Sequence, residues 1–342
     1  MRIAVDAMGG DDAPRTVVHG AVAAAREDGL ALTLVGARTV LEDELARFPE
    51  VASLSIGILD AADVVGMDEP AMAARRRLGA SVRVAAEAVA SGEAAALFTA
   101  GHSGAAVIAA HAAFGLLEGI ERPAIAATIP TRDGLAILVD AGATVSCRPH
   151  HLVEFARLGA AYASAMLGVA RPRVGLLSNG EEAGKGTSLV RAAHARISET
   201  PLHFIGNLDA SELFTGIADV IVCDGFTGNV VLKTSEGLVE AIDGLLADEI
   251  VQSPTAPVGA VPTRGALRRF RTRLDYSEQG GAPLLGLRHV CVIGHGRSSP
   301  KAVARGVRLA ARFAREQLVA RLVAGLRDPG AMRVATPHGH VE

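Results

Sequence analysis

At 342 residues the chain can bury one large hydrophobic core or two. A net charge of −3, with no basic patch interleaved with stacking aromatics, excludes a nucleic-acid partner. Hydrophobic residues make up 49% but aromatics only 3%, so the apolar mass is Ala, Val, Leu and Ile, which suits a parallel sheet buried by helices on both faces.

The N-terminus goes straight into Arg2-Ile3-Ala4-Val5-Asp6, without the apolar run of a secretory signal, which sets a cytoplasmic expectation. Residues 3–5 read as the first strand, and Gly9-Gly10-Asp11-Asp12 as a turn. Pro14 is placed to open a helix reaching about residue 28. A strand at 32–35, a helix near 40–48 and a strand at 53–59 follow. Residues 60–79 read as irregular, 81–90 as helix and 95–98 as strand. This rhythm predicts a doubly wound, mainly parallel sheet with right-handed crossovers.

The middle differs. Strands at 125–130 and 135–140 flank Thr131-Arg132-Asp133-Gly134, a hairpin signal that suggests an inserted arm or a second lobe. A helix over 149–167 precedes strands at 174–177, 202–205 and 220–223, then a helix over 228–250. Three prolines mark 251–263 as a loop. In the protruding segment after it, Leu267, Phe270 and Leu274 share a helical face while Arg268, Arg269 and Arg271 crowd the rest, a pattern that suits an anionic membrane or an acidic protein as well as an ordinary solvated helix. A last helix covers about 300–326. We therefore expect one α/β domain over 1–328, with two lobes as the alternative, and a disordered tail over 329–342.

Only three of the 34 basic residues are lysines: Lys185, Lys233 and Lys301. Where arginine fills generic surface positions, a remaining lysine is a candidate for a role that needs a compact, titratable ammonium. Lys185 lies in Asn179-Gly180-Glu181-Glu182-Ala183-Gly184-Lys185-Gly186-Thr187. That loop fails the Walker spacing at both ends, with Asn179 for the first glycine and Gly186 for the hydroxyl residue. Thr99, Gly101, Ser103 and Gly104 link a strand to a helix start, where backbone N–H groups and hydroxyls favour phosphate. Asp224, Thr227, Gly228 and Asn229 open another helix, with Lys233 one turn on. Asp6, Gly9 and Gly10 follow the first strand. Each loop alone is also an ordinary helix-capping turn. Four such loops at carboxyl ends of strands point to a joint site. A dinucleotide fingerprint, a nucleophile elbow and a zinc-ligand spacing are all missing; His150 and His151 are adjacent and cannot share a helical face. Cys147, Cys223 and Cys291 are too far apart for a redox pair or a zinc cluster.

In this order, the loops resemble the bacterial phosphate acyltransferases of phospholipid synthesis, which act on acyl-acyl carrier protein. Val5-Asp6-Ala7-Met8-Gly9-Gly10-Asp11, the 99–104 loop, Leu138-Val139-Asp140-Ala141-Gly142-Ala143, Gly180-Glu181-Glu182 with Lys185-Gly186, the 224–233 segment, Gly280-Gly281-Ala282-Pro283-Leu284-Leu285-Gly286 and His295-Gly296 carry the resemblance over about 1–325. His102 departs from the asparagine the family favours. The resemblance implies an isocitrate-dehydrogenase-like, phosphotransacetylase-like fold. It also implies transfer of a long-chain acyl group from acyl carrier protein to inorganic phosphate, without a cofactor or metal. Lys185 and Asn229 are then the catalytic pair. A homodimer lying peripherally on the inner face of the membrane would pass acyl phosphate to a membrane glycerol-3-phosphate acyltransferase. The alternatives are a phosphotransacetylase-like enzyme using acyl-coenzyme A and a non-catalytic acyl-carrier binding module.

Overall fold

The computed structural model describes residues 1–252 and 280–327. The expected segment holding Leu267, Arg268, Arg269, Phe270, Arg271 and Leu274, and the tail from 329, lie outside them. Strand β1 (Arg2–Asp6) leads through α1 (Arg15–Asp28) to β2 (Ala31–Gly36), then through α2 (Arg38–Leu45) to β3 (Ile56–Asp60). Pro14 stands just before the first residue of α1, and Gly29 closes the helix in the left-handed conformation. Within 60–79, read as irregular, a short helix α3 forms at Ala73–Arg76. Helix α4 (Ser81–Ala90), β4 (Ala96–Thr99) and α5 (Ser103–Phe114) follow.

The expected hairpin forms from β5 (Ala124–Thr131) and β6 (Gly134–Val139), with Thr131 opposite Gly134. It is no inserted arm, because β6 pairs in parallel with β9 (Val220–Val222) inside the main sheet. Helix α6 (Pro149–Leu167), β7 (Arg173–Ser178), α7 (Ser188–Ser198) and β8 (His203–Asp209) come between them in the chain, and α8 (Gly225–Gln252) follows β9. Two strands escaped the sequence reading, β10 (Ala282–Leu285) and β11 (Val290–Ile293). The predicted last helix is two, α9 (Pro300–Arg315) and α10 (Leu318–Arg327), parted at Gln317, whose φ is 52°.

All eleven strands form one sheet in the order β3-β2-β1-β4-β11-β10-β5-β6-β9-β7-β8. Three antiparallel pairings interrupt it: β11 with β10, β10 with β5, and β5 with β6. Three reversals leave β6, β9, β7 and β8 running opposite to β1, β4 and β11. The carboxyl ends of the two parallel halves therefore do not share an edge, as the sequence reading assumed. They converge on the short strand β10 from opposite directions.

The core follows from alternation along the strands. Ile3 and Val5 face one way, in a layer with Phe98, Phe155 and Phe313 under α1, α6 and α9. Ala4 faces the other, in a layer with Leu97, Leu138 and Ile221 under α4, α5 and α8. Among the described residues, no helix is long and apolar enough to cross a membrane.

Candidate active site

The first wall of the site is built on a buried carboxylate. Asp6, at the end of β1, accepts hydrogen bonds from Ser81 Oγ and Thr99 Oγ1, both at 2.7 Å. Burial raises its pKa, against the lowering effect of those hydroxyls and the Met8 backbone. Thr99 Oγ1 in turn accepts the Gly101 N–H at 3.1 Å, so Asp6 fixes the turn that starts α5. A Cβ on Gly9 would fall 2.7 Å from Asp6 Oδ2 and 2.8 Å from the Gly101 nitrogen, so only glycine lets the two turns touch. Gly10 leads into Asp11, whose N–H donates to Gly296 O at 2.9 Å. Thr99→Val removes both hydroxyl bonds while keeping the volume. We expect a loss of about 1–3 kcal/mol for each buried group left unpaired, read as a lower urea midpoint.

The second wall repeats the device. Asp140, at the end of β6, takes the N–H groups of Ile125, Gly142 and Ala143 on Oδ1, and that of Thr144 on Oδ2 at 2.6 Å. Burial pushes its carboxyl up to about 6, against those four donors. The fixed loop receives α8: Gly225 N donates to Thr144 O at 2.9 Å. Asp224 caps that helix, taking the Thr227 N–H at 3.0 Å and its hydroxyl at 2.7 Å. Asn229 follows one turn later, its Cγ 3.7 Å from where a Cβ on Gly142 would stand.

Between the walls, over β10, lies a cleft of about 760 Å³. Gly101, Ser103 and Gly104 line it from the start of α5, and Asn229, Lys233 and Glu236 from α8. Its floor is the exposed side of Ile125, Ala141, Ala282 and Ile293. Two histidines complete it. His102 Nδ1 accepts the Ala105 N–H at 3.3 Å, and His295 Nδ1 accepts the Arg297 N–H at 3.1 Å. A neutral imidazole with one nitrogen accepting carries its proton on the other, so both rings present Nε2–H donors. That of His295 stands 4.0 Å from Glu236 Oε2.

The structure thus divides the expected residues. Gly101, Ser103, Gly104, Asn229 and Lys233 meet in the cleft. Asp6 and Thr99, and Asp224 and Thr227, bond to each other and shape the walls instead of facing the cleft. Gly9, Gly10 and Gly228 provide close backbone contacts. Lys185 does not line the cleft. It is an exposed residue of a loop held by the Lys185 N–H donating to Glu182 O at 2.9 Å and the Gly186 N–H donating to the Asn179 side chain, Oδ1, at 2.8 Å. Leu176 pairs with Val222, so Ser178 stands level with Asp224 and the Lys185 loop leaves the sheet beside the start of α8. Sequence reading passed over Asp140 as an organiser, discounted His102 and gave His295 no role. Glu236, one turn beyond Lys233, was legible only from helical spacing.

Among the described residues, Glu121, His150 and His151 bring ligand atoms within 4.8 Å of one another. The two histidines do converge, contrary to the sequence reading, because both reach Glu121 from the first turn of α6, at 3.0 and 3.4 Å. The group does not fit a metal. His151 Nδ1 accepts the Arg148 N–H at 3.1 Å, which puts the ring proton on the nitrogen that would have to ligate.

A family model described as "Fatty acid synthesis protein" matches residues 1–321. The chain is 45% identical over 336 residues to a phosphate acyltransferase of Citrifermentans bemidjiense, covering 97% of this chain and 95% of that one. It is 46% identical over 329 residues to a phosphate acyltransferase of Pelobacter propionicus, covering 96% and 95%. A phosphotransacetylase from Streptococcus pyogenes superposes with a TM-score of 0.62 at 16% identity, over 92% of this chain and 94% of that one, which shows a phosphotransacetylase-like fold.

Proposed function

This chain belongs to the family of fatty acid synthesis proteins that includes the phosphate acyltransferases, and on that footing we propose that it moves a long-chain acyl group from acyl-acyl carrier protein to inorganic phosphate. The observation that carries this reading is the cleft, where the start of α5, Asn229 and Lys233 face one another over an apolar floor. The first N–H groups of a helix have no helical partner, so α5 offers donors to a phosphate at Ser103 and Gly104. Lys233 supplies the compensating charge, and the Nε2–H groups of His102 and His295 add donors at the rim.

Phosphate is itself the nucleophile, so the protein need not form an acyl-enzyme. A phosphate oxygen attacks the thioester carbonyl carbon, the carbonyl becomes an oxyanion, and the C–S bond then breaks. The proton of hydrogen phosphate ends on the departing thiol, which balances the step. Asn229 is proposed to hold the oxyanion or the attacking phosphate through its amide. Lys185 is proposed to reach in from the neighbouring loop, polarising the carbonyl or protonating the sulfur. The carrier-protein donor, a homodimer, peripheral contact with the inner face of the membrane and hand-over to a glycerol-3-phosphate acyltransferase belong to the same proposal and rest on the sequence resemblance.

The test is a mass balance on long-chain acyl carrier protein with and without phosphate, following acyl phosphate and free thiol. Equal amounts of both, appearing only with phosphate, are expected. Thiol release independent of phosphate refutes the reading, and a preference for coenzyme A thioesters replaces the donor. Lys185→Arg is expected to lower kcat by about 10²-fold, because the planar guanidinium neither approaches as closely nor gives up its proton. Wild-type turnover in that variant removes Lys185 from the mechanism.

A further inference from the structure

The cleft holds one partly buried acid to which the proposed reaction gives no role, Glu236. Asn229, Lys233 and Glu236 stand at spacings of four and three along α8, so one helical face carries an amide, an ammonium and a carboxylate into the same space. The other acids along the cleft, Asp11 and Glu240, are exposed. The Glu236 side chain leaves only 25% of its surface exposed, and among the described residues no lysine or arginine pairs with it. A carboxylate set into an anion site opposes the charge that the site is built to hold, unless the anion brings a proton.

What faces Glu236 is held in place. His295 leaves the end of β11 where the Gly294 N–H donates to Thr99 O at 2.8 Å, and the turn after it closes with the Ser298 N–H donating to His295 O at 2.9 Å. The Arg297 N–H on Nδ1 leaves the ring proton on Nε2. Glu236 Oε2 stands 4.0 Å from that Nε2, too far for a hydrogen bond. A single oxygen about 2.8 Å from each atom fits between them. It must accept from the imidazole and donate to the carboxylate, because an ionised Glu236 only accepts. An oxygen that does both is a hydroxyl.

Resting on the reading of the cleft as the phosphate site, we propose that Glu236 is a specificity-determining residue, which selects protonated phosphate by accepting its P–O–H proton while His295 Nε2–H donates to the same oxygen. Inorganic phosphate keeps at least one O–H at neutral pH. Sulfate has the shape and charge of the phosphate dianion but no proton, so its oxygen meets the carboxylate as an unpaired like charge. The N–H groups that open α5 and the Lys233 ammonium attract either anion and do not tell them apart. Discrimination then comes from one acceptor that only a hydroxyl can satisfy.

Isothermal titration of the full chain with inorganic phosphate and with sulfate tests this, and needs neither an acyl donor nor turnover. The wild type should bind phosphate about tenfold or more tighter than sulfate. Glu236→Gln sets an amide N–H where the carboxylate stood, so sulfate should bind about tenfold tighter than to the wild type and the preference should fall to about twofold or less. Glu199→Gln, at an exposed acid that ends α7, makes the same change in net charge and should leave the preference as it was. Lys233→Ala should weaken both anions alike, which places them in the cleft. A preference unchanged in Glu236→Gln, or lost equally in Glu199→Gln, overturns the inference and leaves the phosphate reading standing. So does a wild type that binds sulfate as tightly as phosphate. Phosphate that does not bind, or that binds the Lys233→Ala variant as tightly as the wild type, overturns both.

Discussion

Asn229→Ala is expected to lower phosphate-dependent acyl transfer by about 10²–10³ in kcat, with a much smaller change in KM. The side chain is well placed for a donor needed at the moment of reaction. It lies against Gly142 in the loop that Asp140 anchors, and Lys233, four residues on, shares its helical face. Its exposure means that truncation leaves no buried group unpaired, so far-ultraviolet circular dichroism and the unfolding midpoint should match the wild type. Asn229→Asp separates positioning from charge. It keeps the shape but sets a carboxylate beside the phosphate, so its activity should fall below that of the alanine variant. Unchanged kcat in Asn229→Ala would remove this residue from the chemistry and leave the α5 turn and the cations to supply it.

Much of the fold was legible because local signals and tertiary roles agree. The β1-α1-β2 unit has β-branched strands, a proline ahead of the helix and Gly29 after it, each acting within a few residues. Strand β10 had no such signal. Four residues long, with Pro283 inside it and Gly280, Gly281 and Gly286 around it, it reads as a loop by every local rule. Pairing on both sides makes it a strand, and that pairing is non-local. The same strand reverses the second half of the sheet, so missing it led to a common edge for all four loops. The site was legible in kind more than in role. Several polar residues at strand ends do line the cleft, while the Asp6 and Asp224 carboxylates bond hydroxyls and backbone in its walls. Sequence cannot tell a carboxylate aimed at the cleft from one turned into the wall. Nor can it show a histidine tautomer set by a backbone N–H three residues away, as at His102.

Among the described glycines, Gly228→Ala should be the most damaging methyl to add. An ideal Cβ there lies 1.9 Å from Asp140 O, 2.9 Å from Asp140 C and 3.0 Å from Cys223 Sγ. Two of those atoms are backbone in a loop already fixed by four hydrogen bonds to the Asp140 carboxylate, so no rotamer change relieves the clash. Helix α8 must lift off the loop, at a cost of about 3 kcal/mol or more, the upper end for overpacking. A second glycine of the same helix isolates the cause. Gly244→Ala meets nothing within 4 Å, and alanine there should stabilise the helix by about 0.8–1 kcal/mol. Urea unfolding of both variants should therefore move in opposite directions. Turnover should fall with Gly228→Ala even where the protein is still folded, because Asn229 moves with the backbone that carries it. If both variants unfold at the wild-type midpoint, the contact between α8 and the Asp140 loop does not hold the cleft's second wall.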